Sequence, residues 1–526
     1  MSGGFQMLSA PADEEDGNEA GEELGEQGFQ WSELWKFMGP GWMVSIAYLD
    51  PGNLETDLQG GAEFSYSLCW VLLWSSILGI VIQILSLRLG IVTRTHLATM
   101  CKEEYDPWLR YLLWSLSELM IVASDVPEVI GTAFAVQILS NGKIPLWGGV
   151  VLCSLSTLIF LSLSSLGMSY LNAFIAGLVS IMSVCFIMEC GLNPPNAGQT
   201  LLHTFVPSFP DGSVGISIGL LGAVCMPHNL YLQSALVLSR KVARNKRSVS
   251  WACFYNSVET TVALMVSFFI NASVMLVAAA SFAPFWVAAE RQVCNFDTGD
   301  ADTGGEEVCF SVGLETAGLL LRRIIGTKAR VLWAVALLAS GQSSTITGTF
   351  AGQFVMQGFL DLSLPIWFRN FLSRSLAIVP SLVVSIVAGA KGANDLVVLS
   401  SVVLAIHLPL ALVPLLKFTD SAMKMGNQRN SWAMSIGCWF LSMVVVAANS
   451  VLVWEVVKPM LDPNIHSGGP WKLTMVLVCS VAYLVLLGYL IYLPVRRKTS
   501  LPPDVVDDES PSIQDPLVPA EMDTTV

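Results

Sequence analysis

The chain has 526 residues, of which 53% are hydrophobic and only 13% charged, and its formal net charge is −14. That balance excludes a soluble domain of this length, and apolar runs of about 20 residues, long enough to cross a bilayer as a helix, recur along it. The acidity is local: residues 1–30 hold eight acids and residues 499–526 hold seven, with no Lys or Arg in either, which leaves 26 acids against 27 bases between them. The negative charge therefore says nothing about a basic partner for the hydrophobic part, and both ends read as disordered acidic tails. The first 30 residues are too polar for a secretory signal.

In chain order the hydrophobic pattern predicts twelve helical spans, at about 36–62, 67–90, 110–139, 146–164, 168–192, 214–239, 252–282, 331–358, 371–390, 395–416, 432–457 and 472–495. Strand-period alternation is absent, and backbone groups in lipid must be satisfied internally, so the expected fold class is an all-α polytopic membrane bundle. Residues 31–416 read as a core of two repeats, about 36–192 and 214–416. Residues 417–498 carry two peripheral helices, and 1–30 and 499–526 are the tails.

Lys and Arg set the orientation. With a cytoplasmic amino terminus, 18 of them face the cytoplasm, among them Arg88, Arg94, Arg240, Lys241, Arg374, Lys417 and Arg496, against nine on the other side. Both termini are thus expected inside. Of the nine, Arg322, Arg323, Lys328 and Arg330 precede the eighth span and fit a helix lying along the interface. The loop "CNFDTGDADTGGEEVC" then falls outside, where a Cys294–Cys309 disulfide persists.

The first span contains "LDPGNLETDLQGG", a helix breaker among polar residues. The sixth contains "AVCMPHNLYLQS". Asp50-Pro51-Gly52-Asn53 and Met226-Pro227-His228-Asn229 both read x-Pro-x-Asn and lie 176 residues apart, and each begins a five-span block. Paired interrupted helices in corresponding halves point to a transporter site at mid-membrane, and the opposite direction of the two blocks makes the repeats inverted. A break frees carbonyls that would otherwise bond four residues on, and lipid tolerates this only where something polar uses them. Asp50, Asn53, Met226 and the carbonyls of Ala47 and Ala223 together suit a divalent transition metal, since calcium and magnesium ignore a thioether. A single membrane proline is usually a kink and a single Met usually packing. An Asp at bilayer depth costs roughly 2.5–3.5 kcal/mol on insertion scales, and two matched breaks beside it favour function.

The third span holds Asp125 and Glu128 on one face in "ASDVPEVIG", with Arg374 of "LSRSLAIVP" as a partner. His228 beside the second break titrates near physiological pH, whereas His407 reads as packing. Glu118, Glu189 and Glu259 read as structural partners. Asn271 opens a glycosylation sequon but lies inside a span.

At these residues the chain closely resembles the Nramp family of proton-coupled divalent metal transporters. The likeness covers roughly residues 31–495 and rests on "GPGWMVSIAYLDPGNLETDLQGGA", "MPHNLYLQSALV" and "SGQSSTITGTFAGQFVMQGF". It implies a LeuT-like fold of five plus five helices with two more, alternating access, and manganese and ferrous iron carried into the cytosol with protons. Cadmium, cobalt and zinc are further candidates. It also implies metal ligands at Asp50, Asn53 and Met226 with the Ala47 and Ala223 carbonyls, and a proton network of Asp50, Asp125, Glu128, His228 and Arg374. Two positions depart from the family pattern. Gln233 stands where many members have a His linked to proton movement, and Gln cannot titrate near neutral pH. Ser401 aligns with a Gln or Asn that completes the metal shell in some states. Magnesium- or aluminium-transporting relatives lose the Met that this chain keeps.

The expectation is a carrier rather than an enzyme, without cofactor or nucleic-acid partner, working as a monomer in the plasma membrane or an endosomal or vacuolar membrane. A sodium-coupled amino-acid symporter would find its substrate carboxylate repelled by Asp50 and would leave Met226 without a task. A metal-dependent intramembrane protease would need an H-E-x-x-H pair, and none of the five histidines supplies one. A channel or a metal-sensing receptor is separated from a carrier by uptake measurements.

Overall fold

A computed structural model describes residues 39–496 except 154–167, 240–241, 243–245, 288–291, 297–307, 311, 325, 361–365 and 462–469, together with Trp31 and Leu34. The two acidic tails, residues 154–164 of the fourth span and the side chains of Cys294 and Cys309 lie outside what is described.

The first span is two helices, α1 (Pro40–Ala47) and α2 (Pro51–Phe64). Pro40 and Pro51 each take the first helical position, where the missing N–H costs nothing. After α2 come α3 (Cys69–Thr93), a short α4 (Leu97–Glu104), α5 (Pro107–Leu139), helical residues 146–153 and α6 (Met168–Leu192). A short α7 (Ala197–Phe205) is capped by the Asn196 side chain. The sixth span is also broken, into α8 (Val214–Val224) and α9 (His228–Leu236). Then follow α10 (Lys246–Ser281), α11 (Leu314–Ile324), α12 (Thr327–Leu360), α13 (Ile366–Val387), α14 (Gly389–Asp420), α15 (Trp432–Leu461) and α16 (Pro470–Tyr492).

Among the described residues, seven helical segments are long and apolar enough to cross a membrane. The chain is therefore a multi-pass integral membrane protein with a helical membrane part. The long helix α12 fails that hydropathy test, and its sequence says why. The run Ser340–Thr347 is polar, yet every residue in it is buried, so this stretch of the helix is surrounded by protein and not by lipid. It packs chiefly on α5 and α6. At the other extreme, α15 and α16 lean on α14 and turn Phe440, Met443, Val481 and Val485 outward, as lipid-facing helices do.

Several expectations shift. The helices overrun the hydropathy windows at their charged ends: α10 begins at Lys246, not 252, and α14 at Gly389, not 395. A hydropathy window stops at the first charges, whereas backbone hydrogen bonding continues into the interface. Arg322 and Arg323 do lie on the separate helix α11, but Lys328 and Arg330 belong to the first turn of α12. Arg374, counted above among the loop charges, is buried inside α13. Outside the membrane part the chain is not wholly helical. Trp286–Val287, Gln292–Phe296 and Val308–Phe310 form a three-stranded antiparallel sheet, β1 to β3 in that order, whose strands are too short to leave a period in the sequence.

That sheet bears on the disulfide. Val293 of β2 faces Phe310 of β3. Cys294 and Cys309 each stand next to one member of this pair on adjacent strands, and the register shifts between Val293 and Phe296. Neighbouring strands lie about 4.7–4.9 Å apart, within the reach of a disulfide. Alkylation of non-reduced protein from intact cells, followed by mass spectrometry, should find both sulfurs oxidised. Finding both thiols alkylated would refute the pairing.

Candidate functional site

Proline placement decides which carbonyls the two breaks release. Pro51 stands four residues after Ala47, and Pro227 four after Ala223. A proline has no N–H, so those two carbonyls lose their helical donors. Three other carbonyls of the first break are answered from neighbouring helices. Ser267 of α10 donates to Ser45 O at 2.9 Å, Asn271 of α10 to Tyr48 O at 2.8 Å and Ser340 of α12 to Leu49 O at 2.5 Å. Ala47 O receives no such donor among the described residues. Ala223 O accepts from Asn53 Nδ2 at 3.1 Å, which joins the second break to the first.

Asp50 caps α2, its Oδ1 accepting from Asn53 N at 2.9 Å and from Asn53 Nδ2 at 2.7 Å. Gly52 leaves room beside it. A Cβ at Gly52 would lie 3.0 Å from Asp50 Oδ2, 3.3 Å from Pro127 Cγ and 3.3 Å from Ser401 Oγ. The Ser401 hydroxyl of α14 and the second oxygen of Asp50 therefore flank one small gap. Gly222 lets α8 reach α14, because a Cβ there would fall 2.2 Å from Ser401 O. Met226 occupies the irregular stretch between α8 and α9. Asp50 and Met226 are each 2% exposed and Asn53 is 0% exposed, so all three side chains are shielded from solvent.

The Asn53 amide departs from the expected picture of an oxygen ligand. Its nitrogen donates to both Asp50 Oδ1 and Ala223 O, while its Oδ1 has no hydrogen-bond partner. The amide protons bridge two acceptors that a cation would bridge in their place. Half a turn about the last side-chain torsion offers the oxygen instead. Among the described residues no group of three or more His, Cys, Asp or Glu side chains is placed to hold a metal. The donor set here has one carboxylate, and the rest is amide, carbonyl, hydroxyl and thioether.

Asp125 and Glu128 of α5 flank Pro127, whose Cγ is 3.3 Å from the Cβ position of Gly52, so the pair runs alongside the first break. Arg374 Nη2 donates to Glu128 Oε2 at 2.6 Å, and Nη1 stands 3.9 Å from Asp125 Oδ1. Gly348 of α12 makes space for both acids, since a Cβ there would meet Asp125 Oδ1 at 3.0 Å and Glu128 Oε1 at 3.4 Å. Removing one member of a buried ionic group costs about 3–5 kcal/mol, because the remaining charge is stranded. His228 opens α9, buried, with Nδ1 unpartnered. Gln233 is also buried; its Nε2 donates to Thr260 Oγ1 at 3.1 Å and its Oε1 has no partner. The His407 ring Nδ1 meets Val403 O within its own helix at 2.8 Å. Glu259 accepts from Gly39 N at 2.5 Å and Gly41 N at 3.2 Å and so caps α1. Glu118 accepts from Trp114 at 3.2 Å, whereas Glu189 Oε1 is buried without a hydrogen bond.

Ser267 was not picked out from the sequence, Asn271 was noted only as a glycosylation sequon, and Ser340 only as part of a family motif. Polar residues in the middle of apolar spans were the available signal, but only the fold shows that they answer the carbonyls of another helix.

A family model described as natural resistance-associated macrophage protein-like, or Nramp, matches residues 41–455. The chain belongs to the Nramp family of divalent metal transporters. Among its Nramp relatives is the rice protein "Metal transporter Nramp3", 45% identical over 476 residues, covering 90% of this chain and 83% of the rice protein. "Metal transporter Nramp6" of Arabidopsis thaliana is 44% identical over 473 residues, covering 89% and 87%. The crystal structure of the Eremococcus coleocola manganese transporter, in complex with an aromatic bis-isothiourea substituted compound, superposes with a TM-score of 0.72 at 28% identity, over 89% of this chain and 95% of that one. Beyond the Nramp proteins, a nucleobase-cation-symport-1 family transporter in a closed conformation shares the fold alone, with a TM-score of 0.50 at 12% identity.

Proposed function

We propose that this Nramp protein is a secondary transporter that carries divalent transition metals, manganese and ferrous iron first, into the cytosol together with protons. The observation that carries the reading is the Asn53 bridge between Asp50 and Ala223 O, which brings the carboxylate of one broken helix to the freed carbonyl of the other. Asp50, Asn53, Met226 and the carbonyls of Ala47 and Ala223 hold the ion, with Ser401 at its edge. Cadmium, cobalt and zinc are further candidate cargoes.

The closed site fits an occluded stage of alternating access on a LeuT-like inverted repeat of five plus five helices, with α15 and α16 outside it. The bound ion's charge acts on Asp50, and Asp125, Glu128, Arg374 and His228 lie along the route for the exchanged protons. Both termini are cytoplasmic, and a monomer suffices because all the proposed ligands come from one chain. The plasma membrane and endosomal or vacuolar membranes remain the two candidate sites of action. The role is a carrier's, not an enzyme's.

The test is uptake into proteoliposomes with an imposed pH gradient, using manganese, iron, magnesium and calcium. Manganese and iron uptake should rise as the outer pH falls. Uptake of neither metal, or uptake indifferent to the pH gradient, would reject the reading.

Gln233 sharpens the proton half of it. Buried against Thr260 and unable to titrate, it leaves this part of α9 without a proton carrier. Coupling should therefore be loose in the wild type, and Gln233→His should raise the protons moved per metal ion. Simultaneous pH-dye and radiotracer measurements on proteoliposomes read that ratio. A tight, fixed ratio in the wild type would mean that the route does not use this position.

A further inference from the structure

Asp57 has no task in the site described above. It lies in α2 seven residues after Asp50 and four after Asn53, so the three share one helical face. It is fully buried, and neither carboxylate oxygen has a hydrogen-bond partner. Nor does any Lys or Arg pair with it among the described residues. A bare carboxylate inside a membrane protein is costly, and such groups line ion paths more often than they pack.

Two sulfurs stand on the same side. Gly60, one turn further along this face, has its Cβ position 3.4 Å from Met275 Cε of α10. Met275 Sδ is 3.9 Å from the Sγ of Cys69, the first residue of α3. Helix α10 packs against both α2 and α3 and brings the three elements together here. Packing alone explains two adjacent sulfurs, but it does not explain an unpartnered acid beside them.

We propose that Asp57, Cys69 and Met275 form a second binding site for soft divalent cations, a stopping point between one face of the membrane and Asp50. A carboxylate, a thiol and a thioether select cadmium, zinc or ferrous iron over manganese, calcium and magnesium. Binding turns Cys69–SH and the dication into a metal–thiolate, and the thiol proton leaves to solvent. With α2 as the outer half of its span, the ion meets this site before Asp50. That direction rests on the orientation proposed above, whereas the binding itself does not.

The experiment separates the two sites by silencing the first. Full-length Asp50→Ala protein is purified, and cadmium binding is measured by equilibrium dialysis together with the near-ultraviolet absorption of a cadmium–thiolate bond. One cadmium per chain with that absorption is expected, and it should vanish in Asp50→Ala/Asp57→Asn. Cys69→Ser in the same background should weaken cadmium at least tenfold and remove the absorption, while Met275→Leu, which conserves volume, should narrow the preference for cadmium over manganese. Melting temperatures within a few degrees of the parent establish that each variant is folded. Equal cadmium stoichiometry and absorption with and without Asp57→Asn would overturn the proposal. A wild type that transports no metal would instead overturn the proposed function, and the cadmium result would still stand or fall by itself.

Discussion

Asp50→Ala should abolish manganese uptake. Of the proposed ligands, Asp50 is the one that brings a full negative charge, and the others are neutral. A dication leaving water for a closed, protein-lined cavity loses a large hydration energy that amide and carbonyl dipoles alone do not replace. The same carboxylate also caps α2, and losing a cap costs about 0.5–2 kcal/mol, so a dead Ala variant could be dead through local unravelling. Asp50→Asn answers that objection. It keeps the shape and a cap-forming oxygen and removes only the charge. Both variants should transport at background level, and Asp50→Asn should reach the membrane in normal amount with a melting temperature near that of the wild type. Near-normal manganese uptake by Asp50→Asn would end the assignment of this site.

The second large effect is on selectivity, and Met226 decides it. Magnesium and calcium prefer oxygen, and both outnumber manganese and iron in most settings. An all-oxygen site could not exclude them by affinity. A thioether withholds an oxygen that a hard ion would use and offers sulfur that a softer ion accepts. Met226→Ala should open space for water at the proposed site, so millimolar calcium or magnesium should compete with manganese in the mutant and not in the wild type. Cadmium, softer still, should lose most of its uptake. Because removing a buried Met side chain costs about 2–5 kcal/mol through its cavity, Met226→Leu is the companion: it holds the volume, loses the sulfur and should share the loss of cadmium uptake. Uptake of manganese and cadmium with and without the hard ions is the measurement. Loss of all manganese transport in both variants would make Met226 an essential ligand and not a filter. Unchanged exclusion of calcium and magnesium would place selectivity in the closing gates.

Much of this was legible because membrane insertion constrains sequence so strongly. A helical membrane part follows from long apolar runs, since lipid offers backbone groups no other partner. The two breaks were legible for the same reason, as Pro51-Gly52 and Pro227 sit among polar residues in otherwise apolar helices. Proline alone does not suffice: Pro127, Pro380, Pro409 and Pro414 all lie inside continuous helices. What marked the two breaks was proline together with an intramembrane acid or amide and the repetition of that pattern 176 residues later.

Local chemistry along the chain thus determined the membrane class and the positions of the breaks, and it singled out Asp50, Asn53 and Met226 as candidate donors and Asp125 and Glu128 as an acid pair. Tertiary packing decided what those groups touch. It set Asn53 between Asp50 and Ala223, placed Ser401 across Gly52 from the carboxylate, buried Arg374 against Glu128, and sent Ser267, Asn271 and Ser340 to the carbonyls of another helix. The physical reason is range. A helix break or a stranded charge is a property of four or five consecutive residues. A hydrogen bond from α10 or α12 to the first break spans more than 200 positions and depends on how glycine-lined helices close on one another.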